Sequence, residues 1–314
     1  MIKVSYITAH KGEIADLRRC LRSVQHDLAY TKNVEYEHLV CFDGYLPSQI
    51  PEDIFQFPGV KVSFNKENMG QSVTKNSLLK KANGDYIFTL DSDDWNIVGR
   101  TKRSLQKHLE IGKPRNTIIG TNFLYWNSNN TFTYSNYPES DLTIKLSFWL
   151  YPHLLYSSLC FHRSLLFSSN NYFNENLVAG QDYELYSRLL QFSNAINLPE
   201  ALVVYNIRNG GIGGAITSSP ETRKMQINSH TITLSNLLEN PYFNISKLMQ
   251  YLNEYLMMNG RDSTNKNLFK REVLEFVNLL RNQPYLTLKY FPNYVNNQML
   301  ANTFQAFADN DLSG

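Results

Sequence analysis

Cysteine is scarce in this chain. The three that occur, Cys20, Cys41 and Cys160, lie in apolar runs with no C-x-x-C spacing, which argues against both a disulfide framework and a structural zinc site. The expected setting is a reducing, cytoplasmic one. An excess of one charge is also missing, because 30 Lys and Arg are nearly matched by 28 Asp and Glu and the basic residues are scattered. No nucleic-acid partner is expected from that pattern. A long apolar run is the third absence: the best stretch, 146–161, is broken by Pro152, His153 and several serines, so none approaches the roughly 20 residues that span a bilayer. The opening MIKVSYITAHKGE shows no apolar signal core. Membrane association, at the inner face if anywhere, is expected to be peripheral.

Aromatic residues are what the chain has in quantity, with 20 Tyr and 18 Phe among 314 residues. Flat amphipathic rings suit packed cores first and sugar-binding clefts second. The length allows one large α/β domain with an appendage, or two ordinary domains.

The first hundred residues alternate strand and helix patterns, as a parallel sheet with crossover helices requires. Residues 3–8 read as a buried strand. Ile14, Leu17, Leu21, Val24 and Leu28 then recur at helical spacing. Strands are expected at 36–42 and 60–64, and a helix at 71–82 closed by Asn83-Gly84 as a C-cap pair. The apolar run 85–90 is a further strand, and Asp91-Ser92-Asp93-Asp94 stands at its C-terminal end. Open α/β sheets bind ligands at that edge, and Asp43 ends the strand at 36–42 in the same way. From residue 116 longer strands are expected at 117–126 and 131–135, then a strand at 155–161, a helix at 182–191 and an extended stretch at 195–205. Beyond Pro220 the pattern is helical almost throughout.

Three carboxylates within four residues repel one another unless a cation relieves them. Mg2+ and Mn2+ take oxygen ligands and are commonly shared between one or two carboxylates and a substrate's phosphates. A solvated acidic turn is the plainer alternative for the tetrad taken alone.

Three blocks narrow the choice. YEHLVCFDG, NMGQSVTKNSLLKKANGDYIFTLDSDD and YFNENLVAGQDYELYSRLL resemble, in order and approximate spacing, the strand ending in Asp-Asp-Gly, the Asn-x-Gly to Asp-x-Asp segment and the Glu-Asp stretch of the family 2 glycosyltransferases. The resemblance implies an α/β fold of the GT-A kind: a Rossmann-like, mostly parallel mixed sheet with a helical C-terminal extension. It implies a catalytic domain over 1–215, with a nucleotide-binding half at 1–94 and an acceptor-binding half at 95–215, followed by the extension at 216–314. The implied activity is inverting transfer from a nucleotide-diphosphate sugar, a UDP-sugar by family habit, to a glycan or glycolipid hydroxyl. In the implied roles Asp43 contacts the base, Asp91 the ribose, and Asp93 holds Mn2+ or Mg2+ against the diphosphate. Thr8, Ala9, His10, Asn76 and Ser92 line the donor, Arg208 pairs with diphosphate oxygens, and Asp182 is the general base. The extension is expected to serve the catalytic body, a membrane surface or a homo-oligomer.

The pattern has departures. Thr8-Ala9-His10-Lys11 replaces the usual Pro-Thr-Tyr-Asn, Phe42 the first Asp of Asp-Asp-Gly, and Gln181 the Glu before Asp182, while Asn209-Gly210 stands where many members carry a histidine. Loss of the Glu before Asp182 and of that histidine leaves a non-catalytic carbohydrate- or partner-binding protein as the rival from another class. An Asp-x-Asp phosphohydrolase of the haloacid dehalogenase type also opens on an apolar strand. It expects its motif near the chain start with Thr or Val at the position held here by Trp95.

Overall fold

The computed structural model describes residues 1–112, 114–127, 130–141, 144–145, 153–166, 172–207 and 232. Arg208, the 210–214 glycine loop and the expected C-terminal helices lie outside them. The chain divides into two compact units, Met1–Tyr137 with Leu154–Thr231 and Pro138–His153 with Ile232–Gly314. In the second, Lys145 pairs with Asp141 four residues back at 2.9 Å. Every element described below belongs to the first.

Strands β1 (Ile2–His10), β2 (Val34–Asp43) and β3 (Val60–Asn65) pair in parallel, as does β4 (Tyr86–Thr89) with β1. Helices α1 (Ile14–Ala29) and α2 (Gln71–Lys81) supply the crossovers. Beyond β4 the sheet turns mixed. Its order is β3-β2-β1-β4-β8-β6-β9-β5, with β7 on the side of β6. Here β5 is Trp95–Asn96, β6 Thr117–Trp126, β7 Phe132–Tyr134, β8 Cys160–His162 and β9 Asn194–Asn206. Strand β8 runs antiparallel to both β4 and β6, while β6 and β9 run parallel.

The inner face of α1 carries Leu17, Cys20, Leu21, Val24 and Leu28, all buried, one turn apart as an amphipathic helix on a sheet demands. Leu17 and Leu21 pack with Val40, Phe42, Ile50 and Ile54, while Cys20, Val24 and Leu28 join Tyr6, Phe88, Leu105 and Phe123. Burial of each large apolar side chain contributes about 1.5–3 kcal/mol. Phe42 is buried and stacks on Phe64 with centroids 5.5 Å apart, so the position that would carry an acid in Asp-Asp-Gly is core in this chain.

Helix α3 (Arg100–Glu110) escapes the periodicity argument because its buried face is Arg100, Thr101, Ser104, Leu105 and His108. It is held by polar contacts instead. Asp27, wholly buried on α1, accepts the N–H groups of Gly99 at 2.8 Å and Thr101 at 3.0 Å, placing a negative charge at the positive end of α3. Arg100 donates to Asn96 Oδ1, to the Thr89 carbonyl at 2.9 Å and to the Leu159 carbonyl at 3.2 Å. The first turn of α3 therefore pins the C-terminal end of β4, where the acidic tetrad begins.

Two expectations are corrected. Asn83-Gly84 does not cap α2: the helix ends at Lys81 and Ala82 turns into an extended conformation with ψ 128°. Gly84 is needed for close approach, since a Cβ there would lie 2.5 Å from the Ser5 nitrogen on β1. The expected strand 155–161 is a 3-10 turn, Tyr156–Ser158, followed by the short β8. The hydroxyls of Ser157 and Ser158 are spent on neighbouring main-chain and carboxylate groups, which favours a turn over a ladder.

Candidate active site

The tetrad leaves the end of β4 as a tight turn in which each carboxylate meets a different environment. Asp94 is buried at 1% exposure. It accepts the Ser157 hydroxyl on one oxygen and the Asn206 N–H at 2.9 Å on the other. Burial, then the charges of Asp93 and Asp91, drive its carboxyl well above the usual range. Ser157 also accepts the Asp91 N–H at 3.0 Å, so one hydroxyl fixes both ends of the turn. Asp91 is one-third exposed and its Oδ1 lies 3.0 Å from Lys75 Nζ. Ser92 and Asp93 are partly exposed. Beside them Arg19 lies over the Trp95 ring, 4.3 Å from its centroid.

Asp43 ends β2 as expected and is buried. Its Oδ1 accepts the Met69 N–H at 2.8 Å and Asn65 Nδ2 at 2.9 Å, and its Oδ2 accepts the Gly70 N–H at 2.9 Å. It thereby organises the loop that enters α2. Gly44, next in sequence, has φ +84° and faces the Asn68 main chain, a position that favours glycine.

Asp182 stands in the first turn of α4 (Gln181–Leu189), after Gly180 in a left-handed conformation. Its Oδ1 accepts the Tyr183 N–H at 2.9 Å. The residue as a whole is half-buried, but its carboxyl lies deep. Burial raises that carboxyl's pKa, Lys75 and the Tyr183 N–H oppose the rise, and Asp91 adds to it. A carboxyl shifted towards neutrality is suited to taking and giving up a proton.

The expected donor-lining positions separate into two groups. Ala9, Ser92 and Asp91 are partly exposed at the C-terminal edge of the sheet. Thr8, Asn76 and His10 are interior. The Thr8 hydroxyl donates to the Leu90 carbonyl and pairs with His38 Nε2, each at 2.9 Å. Asn76 donates from Nδ2 to the Phe173 carbonyl and Glu175 Oε1, and its Oδ1 accepts the Phe173 N–H, all at 2.9 Å. His10 is 1% exposed between Phe42 and Tyr45. The Thr8 and Asn76 side chains thus shape the walls of the site from behind, because their polar atoms are already spent within the fold.

Sequence reasoning missed Lys75. A lysine on a helix ordinarily reaches solvent, whereas this one has a 3% exposed side chain and places Nζ 3.5 Å from the centroid of Tyr156. The only clue in the sequence is its place between Gln71 and Leu79 on one face of α2.

Among the described residues no group of three or more His, Cys, Asp or Glu side chains is disposed to hold a metal. Asp94 is sequestered and Asp91 is paired with Lys75, while Asp93 is partly exposed. One hard oxygen donor fits a Mg2+ or Mn2+ that arrives with a diphosphate and takes its other ligands from phosphate and water. It does not fit a metal held by protein alone.

The profile of glycosyl transferase family 2 matches residues 5–166, just over half of the chain. The chain belongs to glycosyl transferase family 2. Comparison with curated proteins gives no match. Among solved structures the chain is similar to S. aureus TarS 1-349 in complex with UDP, with TM-score 0.58 and 16% identity over 98% of this chain and 92% of that one. TarS 1-349 in complex with UDP-GlcNAc gives TM-score 0.57 at 16% identity over the same shares. The S. aureus TarS structure of the longer chain gives 0.59 at 16% identity, again over 98% of this chain, which spans 55% of that one. At such identity the likeness shows the fold, which is the GT-A arrangement expected, and family membership makes the protein a glycosyltransferase. Among the described residues no helix is long and apolar enough to cross a membrane.

Proposed function

We propose that the protein inverts configuration while moving a sugar from a nucleotide-diphosphate donor, a UDP-sugar, to a hydroxyl of a glycan or glycolipid, with Asp182 as the general base. The observation that carries this reading is the place of Asp182 in the first turn of α4, on a segment fastened to α2 by the Gln181–Gln71 hydrogen bond at 3.1 Å, where burial raises its carboxyl and the charges of Lys75 and Asp91 are felt. The TarS structures with UDP and UDP-GlcNAc support a uridine donor on this fold. The base lies on the Asp43 side, the ribose against Asp91, and the diphosphate over Ser92 and Asp93. Ala9 contributes main chain beside the donor, and His10 its ring beneath the base side. Arg208, beyond the described residues, is proposed to pair with the diphosphate. Mg2+ or Mn2+ held by Asp93 and diphosphate oxygens would offset charge on the departing group.

In the transfer, the acceptor oxygen forms a bond to the anomeric carbon on the face opposite the diphosphate. The carbon–oxygen bond to the β-phosphate breaks, the acceptor proton passes to Asp182, and the nucleoside diphosphate leaves with the electron pair. Deprotonated Asp182 is the working form. A thermal-shift series with UDP, GDP, CDP and ADP, each with and without Mn2+, tests the donor side. Stabilisation by UDP only when Mn2+ is present, lost in Asp93→Ala, is expected. Indifference to every nucleotide would overturn the reading in favour of a non-catalytic binding protein.

A further inference from the structure

Burying an ammonium group is costly unless charges or rings receive it, and Lys75 is received from several directions. Asp91 Oδ1 takes one donor at 3.0 Å, the Tyr156 ring covers another side at 3.5 Å, and the Phe173 centroid lies 5.8 Å away. An ammonium has three donors, and a single carboxylate oxygen at 3.0 Å does not take all of them. Helix α2 is fastened to the segment that leads into Asp182 on both sides of Lys75. Gln181 Nε2 donates to Gln71 Oε1 at 3.1 Å and the Ser72 hydroxyl to the Leu177 carbonyl at 3.2 Å, while Asn76 clamps Phe173 and Glu175. Gln71 and Lys75 are four residues apart and share one helix face. The helix face that meets Gln181 therefore also carries Lys75, and the charge of Lys75 is felt at the next residue, Asp182.

We propose that Lys75 is a positioning residue whose ammonium is the shared counter-ion of Asp91 and Asp182, tying the donor-side carboxylate to the acceptor-side base. The proposal rests on Asp182 being the base. Among the described residues, the charged and titratable groups facing Asp182 are Lys75 from α2, Asp91 from the turn after β4, Tyr156 from the 3-10 turn and Tyr186 on its own helix. Lys75 is the one cation among them, and it opposes the rise that burial imposes on Asp182. Removing it leaves Asp182 facing Asp91 with no cation among the described residues to offset it, so the base holds its proton to higher pH.

The test titrates the protein itself, labelled with 13C at aspartate carboxyls, the Asp182 signal being identified by its disappearance in Asp182→Asn. In Lys75→Met the Asp182 midpoint moves to higher pH, and Lys75→Arg restores it. Asp91→Asn, which removes the competing carboxylate, moves it to lower pH and decides the matter should Lys75→Met not fold. An Asp182 midpoint unchanged in these variants would overturn the proposal, as would a loss of melting temperature in Lys75→Met with no change in the midpoint. The acidic limb of UDP-GlcNAc hydrolysis is expected to shift with the midpoint. Failure of the wild-type protein to turn over any donor would count against the transferase function, while the carboxyl titration would still decide the role of Lys75.

Discussion

Replacing Asp182 by Asn separates a catalytic carboxylate from a structural one. The amide oxygen can accept the Tyr183 N–H that Asp182 Oδ1 accepts at 2.9 Å, so the local hydrogen bond survives. Loss of a negative charge in the first turn of α4 costs about 0.3–1 kcal/mol, and relief of the burial that raises the carboxyl offsets it. The melting temperature should stay within about 4 °C of wild type. Binding of UDP with Mn2+, measured by calorimetry, should be nearly unchanged. Transfer should fall by about 10²–10⁴-fold, the range for a general base, which is about 3–5.5 kcal/mol of barrier. The pH profile supplies the sign. Because the deprotonated carboxyl is active and its pKa is raised, wild-type kcat/KM falls with decreasing pH through a limb above the ordinary aspartate range, and the Asn variant lacks that limb. Equal loss of UDP affinity and turnover, or a residual rate that keeps the limb, would show that Asp182 acts through structure.

Gly84→Ala should lower stability by about 3 kcal/mol or more, because its Cβ would meet the Ser5 nitrogen at 2.5 Å and the Val4 carbonyl carbon at 2.6 Å; a melting temperature lowered by less than about 5 °C would contradict the close approach of α2's exit to β1. His38 should make the fold acid-sensitive. Burial lowers its pKa from 6.5 to about 3, so the unfolded chain takes up the proton first. Its contribution is complete above pH 6.5 and is lost as pH falls towards 3, by up to about 1.4 kcal/mol per unit. His38→Gln should flatten the wild-type denaturant midpoint over that window, and an unchanged slope would refute it.

The parallel half of the sheet was legible because its strands are short apolar runs bounded by turns, and α1 because its buried residues recur at helical spacing. The expected strands at 3–8, 36–42 and 60–64 lie within Ile2–His10, Val34–Asp43 and Val60–Asn65. Helix α3 was illegible for a physical reason: its inner face is built from Arg100, Thr101, Ser104 and His108, whose burial depends on partners distant in sequence. The run 155–161 looked like a strand by composition, and its serines made it a turn. At the candidate site, the tetrad's position at a strand end could be read directly. What could not be read was the division of labour within it, since the burial of Asp94 and the pairing of Asp91 depend on Ser157, Asn206 and Lys75. Lys75 itself resembles any surface lysine until α2 is seen packed beneath Tyr156.

The partners of Asp94 have a consequence for how the protein is made. Ser157 lies 63 residues further along the chain and Asn206 112 residues further. During synthesis the acidic turn emerges well before either, and until both arrive a carboxyl destined for the interior has only water to accept from. Contacts of such long range form late and slowly. A nascent or truncated chain ending before β9 therefore carries the tetrad as sequence without the Asn206 N–H that Asp94 accepts in the finished fold.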